Sequence, residues 1–189
     1  MNRKLLGNEN RTVDELLGSL AAVLRDQGKL AEAEAVRREE LELERKLSGN
    51  EHPFVANSLA ELTRFLLTQK KFTEAEPLAR ECLAIREKKL PDEWVTFNTR
   101  STLGGSLLGQ KKYAEAEPLL LSGYEGMKQR EDKIPAIGKP RVKETIQRLV
   151  QLYEATGQSE QASEWKKKLE VFSHEEAAKK AATAKETAK

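Results

Sequence analysis

Four groups of residues in this chain of 189 have types or spacings that could do chemistry. Gly104 to Lys111 reads GGSLLGQK, a near miss to a phosphate-binding loop. Gly104 and Gly109 have the right separation, but Gln110 stands where the lysine must be. The segment also sits inside a helical pattern, whereas such a loop must follow a strand. Nucleotide binding is not expected there. His52 and His174 lie far apart, and neither has a cysteine or second histidine at metal-ligand spacing. Cys82 falls in the apolar stripe Ala75, Leu78, Ala79, Cys82 and reads as a small core residue. As the single cysteine it can form neither an internal disulfide nor a zinc cage. The glutamates of the AEAE stretches resemble paired carboxylates. They fall on solvated helix faces among lysines and arginines. No nucleophile, base and orienting group can be assembled, so neither enzyme activity nor a metal or cofactor is expected.

The elements that must position any functional residue come from a repeat. Residues 69–90 read QKKFTEAEPLARECLAIREKKL. Forty-one residues later the chain reads QKKYAEAEPLLLSGYEGMKQRE, and forty-two earlier QGKLAEAEAVRREELELERKLS. One structural unit has been copied along the chain. Apolar residues make up 38% and charged residues 34%, which suits stacked two-helix layers that expose much of every helix. The net charge of +2, with both signs intermixed, argues against a dedicated nucleic-acid binder. No run approaches the ~18 apolar residues of a membrane span, and the start, MNRKLLGNEN, lacks the apolar stretch of a secretory signal.

Residues 4–13 (KLLGNENRTV) align with 46–55 (KLSGNEHPFV), so residues 1–11 read as the tail of a truncated preceding repeat. This leads us to expect a segment of a longer protein, or one that has lost its first repeat. The array should span 12–173 in units of about 12–50, 51–91, 92–131 and 140–173. In the first unit Val13, Leu16, Leu17, Leu20, Ala21 and Leu24 share one helical face, and Gly28 turns the chain. Leu30, Ala33, Val36 and Leu41 line the second helix. Arg37 and Glu40 interrupt that seam, which is costly unless water reaches it. His52 is expected to help end a helix. In the second unit Thr73 and Glu76 have capping-box spacing, with Pro77 in the first turn. In the third, Gly104, Gly105 and Gly109 each cost about 1 kcal/mol relative to alanine inside a helix, which predicts close approach of a neighbour. Tyr124 and Met127 point inward. An insertion at 131–140 should be an irregular loop. In the fourth unit Ser159 caps a helix lined by Ala162, Trp165, Leu169 and Phe172. Residues 174–189 form a polar Ala/Lys/Glu extension, capping or disordered.

A helix pair per unit, Gly or Lys at the turn, an aromatic or Leu two residues later and Ala three after that resembles the tetratricopeptide repeat. The resembling residues are Gly28/Leu30/Ala33, Phe72/Ala75, Tyr113/Ala116 and Gly157/Ala162. The unit of 41–42 exceeds that family's usual 34 and, with its EAEPL and NEHP segments, is similar to the kinesin-light-chain type. The resemblance implies an all-α fold, a right-handed superhelical solenoid of antiparallel helix pairs with about four units. A narrower resemblance links WVTFNTRSTLGGSLLGQKKYAEAEPLLLSGYEGMKQRE and RLVQLYEATGQSEQASEWKKKL to the C-terminal ends of bacterial serine/threonine kinases of the eukaryote-like class. No kinase catalytic motif lies in this chain.

The resemblance further implies that the first helix of each unit lines a concave face able to hold a peptide or partner helix. Residues off the packing stripe should face it: Asn57, Glu61 and Arg64; Asn98, Ser101 and Thr102; Gln147, Arg148 and Gln151. Amides could bond a peptide backbone, while Arg64 and Arg148 could hold a carboxylate or phosphate. The Lys/Asn set that grips a C-terminal carboxylate in such repeats is absent. The Asn pair common in long repeats is replaced by Gly18-Ser19 and Ala60-Glu61. The expected function is a non-catalytic protein-interaction scaffold within a larger signalling protein. The alternative is a self-association module pairing through exposed repeat ends as a homo-oligomer. The expected compartment is cytoplasmic, or extracytoplasmic within a membrane-spanning kinase.

Overall fold

The fold follows from what the turn residues and the apolar spacing impose on the helices. A computed structural model of the chain describes the backbone of residues 2–187 and the side chains of residues 12–178 apart from residue 15. Its elements are α1 (Asn2–Asp26), α2 (Leu30–Ser48), α3 (Pro53–Thr68), α4 (Phe72–Lys89), α5 (Trp94–Gly109), α6 (Tyr113–Lys128), a 3-10 turn (Glu131–Lys133), α7 (Pro140–Ala155) and α8 (Ser159–Thr187). The chain is all-α, with no strand among the described residues. It forms two compact units, Met1–Asp92 and Glu93–Lys189, of two hairpins each.

All four hairpins turn in the same way. Gly28, Lys70, Lys111 and Gly157 occupy one repeat position, and all have left-handed backbone, with φ of 75°, 60°, 62° and 71°. The next amide reaches back to the carbonyl five residues earlier: Lys29 to Leu24, Lys71 to Leu66, Lys112 to Leu107 and Gln158 to Tyr153, at 2.9, 3.0, 2.9 and 2.9 Å. This bond closes the end of the first helix, and the second begins at once. Phe72 is therefore the first helical residue of α4, and Thr73 does not cap it; Lys71 does so without a side-chain bond. Pro77 lies beyond the first turn for the same reason.

In the first unit α2 packs on both α1 and α3, and α3 on α4. The core joins Leu41, Val55, Ala56, Leu59, Leu62, Leu66, Ala75, Cys82 and Ile85. Cys82 is fully buried, its thiol donating to the Ala56 carbonyl at 3.1 Å. Pro53 opens α3, and His52 caps the start of that helix, while its own amide donates to the carbonyl of Gly49, the C-cap of α2. The Nδ1 of His52 accepts the Phe54 amide at 3.2 Å. The stretch that aligns with 46–55 lies within α1, which runs unbroken from Asn2. Arg11 replaces the proline at 53, and it is that proline which disfavours helix at the residue before it. The first-unit stripe is also not inward throughout. Val13, Leu16 and Leu20 are 45%, 62% and 46% exposed, and Leu30 is 42% exposed. What covers α3 is the helix before it.

In the second unit α5 packs on α6 and α7, and α7 on α6 and α8. Glycines set the α5–α6 distance. A methyl at Gly104 would lie 2.8 Å from Leu120 Cγ, and one at Gly126 would overlap the Phe97 ring. Phe97 in turn lies 4.3 Å under the Arg130 guanidinium, whose Nη1 donates to the Gly126 carbonyl at 3.1 Å. Buried Ile134 and Gly138 tuck the inserted connection against Trp94. Residues 174–187 continue α8 as helix.

Lysine in the left-handed region carries a cost of about 1–2 kcal/mol that glycine avoids, offset in part by glycine's extra freedom when unfolded. Lys70→Gly and Lys111→Gly should each stabilise by about 0.5–1 kcal/mol in thermal or urea unfolding. Gly28→Ala should destabilise by a similar amount. Equal, near-zero effects of all three changes would contradict the shared turn.

Candidate functional site

Asn57, Glu61 and Arg64 lie on the face of α3 off its apolar stripe, and the first unit collects them in two adjoining depressions. One, of about 310 Å³, is lined by Ala21, Arg25, Arg37, Glu61, Arg64, Phe65 and Thr68. The other, of about 600 Å³, is lined by Asp14, Glu40, Glu44, Phe54, Asn57, Ser58 and Glu61. The first carries three guanidiniums and the second three carboxylates, with Glu61 shared between them. The surface is therefore positive at one end and negative at the other.

The charges are held by neighbours from all three helices. Glu61 pairs with Arg64 one turn on and lies 4.0 Å from Arg37 Nη2. Arg37 Nη1 donates to Glu40 at 2.7 Å. The pair is fitted in beside Gly18, where a methyl would come within 3.4 Å of the Glu40 carboxylate. The two side chains are thus largely covered, at 12% and 11% exposure, and the cost is met by their ion pairing. Glu44 accepts from Ser48. Asn57 Oδ1 accepts from Arg86 Nη2 at 2.9 Å. Burial pushes the Glu40 carboxyl above its ordinary range, Arg37 opposes the shift, and the charges of Glu61 and Glu44 add to it.

The second unit treats its expected residues differently. Ser101 does not face a groove: it is fully buried. It lies 2.7 Å from Thr145 Oγ1 and accepts from Arg148 Nη1 at 3.0 Å. Thr145 gives its proton to the Arg141 carbonyl at 2.8 Å, so Ser101 donates to Thr145. Arg148 lies over Gly105, where a methyl would come within 2.7 Å of its Nε, and pairs with Glu144 at 3.7 Å. These groups form a polar seam between α5 and α7, which removes Arg148 as an open anion receptor. Thr102 is buried and donates to the Asn98 carbonyl at 2.9 Å. Asn98 is half-buried, and its Oδ1 has no partner among the described residues. Gln147 and Gln151 are exposed.

One depression had no counterpart in the sequence reading. It measures about 600 Å³ and is lined by Tyr124, Lys128, Ile146, Lys167, Lys168, Val171, Phe172 and Glu175. Tyr124 and Phe172 read as core residues from helical spacing alone, yet both are only half-buried. Lys168 lies 3.9 Å from the Trp165 ring centroid and 5.9 Å from that of Tyr124. Burial raises the Tyr124 hydroxyl pKa. No group of His, Cys, Asp and Glu able to hold a metal ion occurs among the described residues. No helix among them is long and apolar enough to cross a membrane.

Comparison with known proteins gives a family match and a fold. Residues 12–88 match the family described as Tetratricopeptide repeat. No curated protein matches the sequence. Among solved structures, BtubC (BKLC) from P. vanneervenii is similar with a TM-score of 0.72 at 14% identity. The match covers 89% of this chain and 66% of that one. A putative kinesin light chain with nearly identical TPR-like repeats from Podosopora anserina matches in two forms. A single-residue variant of it gives a TM-score of 0.60 at 18% identity, covering 94% of this chain and 92% of that one. The form without that change gives 0.58 at 18%, with 92% of each chain covered.

The Glu40 shift fixes a pH dependence. A carboxyl raised on folding binds protons more tightly in the native state, so its contribution to stability falls as pH rises from about 4.5 through the raised value. Glu40→Gln should therefore gain stability relative to wild type as pH climbs above about 4.5, and show no gain below it. A wild-type-to-variant difference flat across pH 4–8 in thermal unfolding would contradict the assignment.

Proposed function

With residues 12–88 a tetratricopeptide-repeat segment and the fold that of kinesin-light-chain-like repeat proteins, we propose that the first unit binds an extended segment of a partner protein across the Asn57–Glu61–Arg64 face of α3. The fold is one that generally serves as a protein-interaction scaffold and is typically non-catalytic. The observation that carries the reading is the division of charge around Glu61: Arg25, Arg37 and Arg64 on one side, Asp14, Glu40 and Glu44 on the other. A segment with a basic residue followed or preceded by an acidic one a few positions away would match both ends. Asn57 adds an amide for its backbone, and Phe54, 38% exposed, adds an apolar contact.

The surface is pre-organised by the ion pairs that span α2 and α3, so little side-chain ordering remains to oppose binding. Salt should weaken the association through the partly exposed Arg25, Glu61 and Arg64, at 43%, 40% and 33% side-chain exposure. In the second unit Asn98, Gln147 and Gln151 would extend the same use of amides, while Ser101, Thr102 and Arg148 serve the α5–α7 seam. Within this reading the chain is one region of a larger signalling protein.

Panning a random peptide library on the chain tests this, with a Glu61→Lys/Arg64→Glu variant as the counter-screen. Both positions are half-exposed, so the swap should leave the fold intact. Peptides pairing basic with acidic residues should be enriched on wild type and bind the variant at least about tenfold more weakly. Enrichment of apolar peptides indifferent to the swap would remove the α3 face from consideration.

A further inference from the structure

In the first unit the groove between α2 and α4 is shut. Leu41, Leu59 and Ile85 join one core cluster at 4%, 0% and 6% exposure, and Arg45 of α2 reaches across to Glu81 of α4 at 2.8 Å. Arg45 stands seventeen residues after the left-handed Gly28, and Glu81 eleven after Lys70. Counted in the same way from Lys111 and Gly157, those positions in the second unit are Lys128 of α6 and Lys168 of α8. An ion pair joining two second helices is thus replaced by two like charges, which repel. The apolar cluster changes with it. The counterparts of Leu41, Leu59 and Ile85 are Tyr124, Ile146 and Phe172, and these line the open depression of about 600 Å³.

Both sets come from three consecutive helices, α2, α3 and α4 in one unit and α6, α7 and α8 in the other, so residue types within the unit decide whether the groove is shut or open. Lys128 Nζ donates to Glu131 at 2.6 Å. Among the described residues neither Lys167 nor Lys168 has a carboxylate partner, and Lys168 lies 3.9 Å from the Trp165 ring centroid. Three ammoniums stand against two carboxylates, Glu175 in the lining and Glu131 on Lys128, which leaves one positive charge in excess. The Tyr124 ring meets Trp165 edge-on, with centroids 4.8 Å apart. That contact fixes it as a wall of the depression. Its hydroxyl has no hydrogen-bond partner among the described residues, and burial keeps it protonated and able to donate.

We propose that this depression binds a small monocarboxylate with an apolar body. The carboxylate meets the Lys168 ammonium and the Tyr124 hydroxyl, and the body covers Ile146, Val171 and Phe172. Charge complementarity fixes the class: one excess positive charge matches a single anionic group, and a cation would meet three lysines. The apolar body gains by displacing water from the half-buried rings, and the volume is that of pockets which take small ligands between helices. No residue of this site lines the depressions around Glu61, so it stands apart from the peptide reading above.

The test is amide chemical-shift titration of the full chain with two probes, naphthoate and decanoate. At least one should give saturable shifts at Tyr124, Ile146, Lys168 and Phe172, with one molecule bound per chain. Naphthylmethanol, which keeps the ring body and lacks the charge, should bind roughly fivefold more weakly than naphthoate. Lys168→Glu, a change at an exposed position, sets opposite charges across the groove as in the first unit and should weaken binding at least about tenfold. Lys168→Gln removes the charge alone and should give an intermediate loss. Saturation by neither probe would overturn the proposal. So would equal binding of the neutral analogue, an affinity unmoved by Lys168→Glu, or shifts centred on other residues. Shifts at Tyr124 and Phe172 that follow protein concentration without any probe would assign the depression to a second copy of the chain and also overturn it.

Discussion

A two-helix hairpin cannot cover itself, and everything else in this chain answers that constraint. Each helix of a pair buries one side against its partner and leaves another side needing a neighbour. In α3 that side is met by α2, and Leu59, Leu62 and Leu66 are sealed to 1% exposure or less. Apolar burial contributes about 25 cal/mol per Å², so covering a leucine stripe of this kind outweighs the polar accommodations beside it. Where the neighbour comes, the contact is finished with ion pairs between the second helices of adjacent hairpins, as with Arg38–Glu74 and Arg45–Glu81. Those pairs are exposed and individually weak. Their value lies in register, because each fixes one turn of one helix against one turn of the next.

Where the packing is relaxed, polar chemistry enters. At the α1–α2 seam the small pair Ala79/Cys82 of α4 is replaced by Arg37 and Glu40, which pair with each other beside Gly18. That substitution puts charge on the inner surface beside Glu61 and Arg64 and creates the divided electrostatic face. In the second unit the corresponding decision went the other way. Gly105 lets Arg148 fold onto α5, and Ser101, Thr145 and Arg148 use each other up. Two copies of one unit thus differ in what they can offer a partner because of the side chains at their seams, Arg37 and Glu40 in one and Arg148 over Gly105 in the other.

The hairpins were legible in the sequence because their period and turn are written in residue types that physics restricts. The glycine turns at 28 and 157, the alanines at 33, 75, 116 and 162, and the close-approach glycines at 104 and 105 follow from sterics, whereas Lys70 and Lys111 take the same left-handed turn by repeat position alone. What helical spacing could not show is which neighbour a face meets. Val13, Leu16 and Leu20 share a core-like stripe, yet they are exposed because cover comes from an adjacent hairpin. Ser101 and Thr102 lie off the leucine stripe and looked open, but a second buried face of α5 meets α7. Arg148 looked like an anion receptor because its charge is visible in the sequence and Gly105 beneath it is not recognisable as its pocket. Thr73 and Glu76 have capping-box spacing, but the tight left-handed turn starts α4 two residues too early for it to form.

The central claim is that the first unit receives its partner on the α2–α3 face around Glu61. Amide chemical-shift mapping of the isotopically labelled chain, titrated with a peptide that binds it, addresses this residue by residue. The account predicts shifts concentrated at Arg37, Glu40, Asn57, Glu61 and Arg64, with the α5–α7 seam at Ser101 and Arg148 unperturbed. Shifts confined to the second unit, or to the Tyr124–Lys168–Phe172 depression, would contradict it.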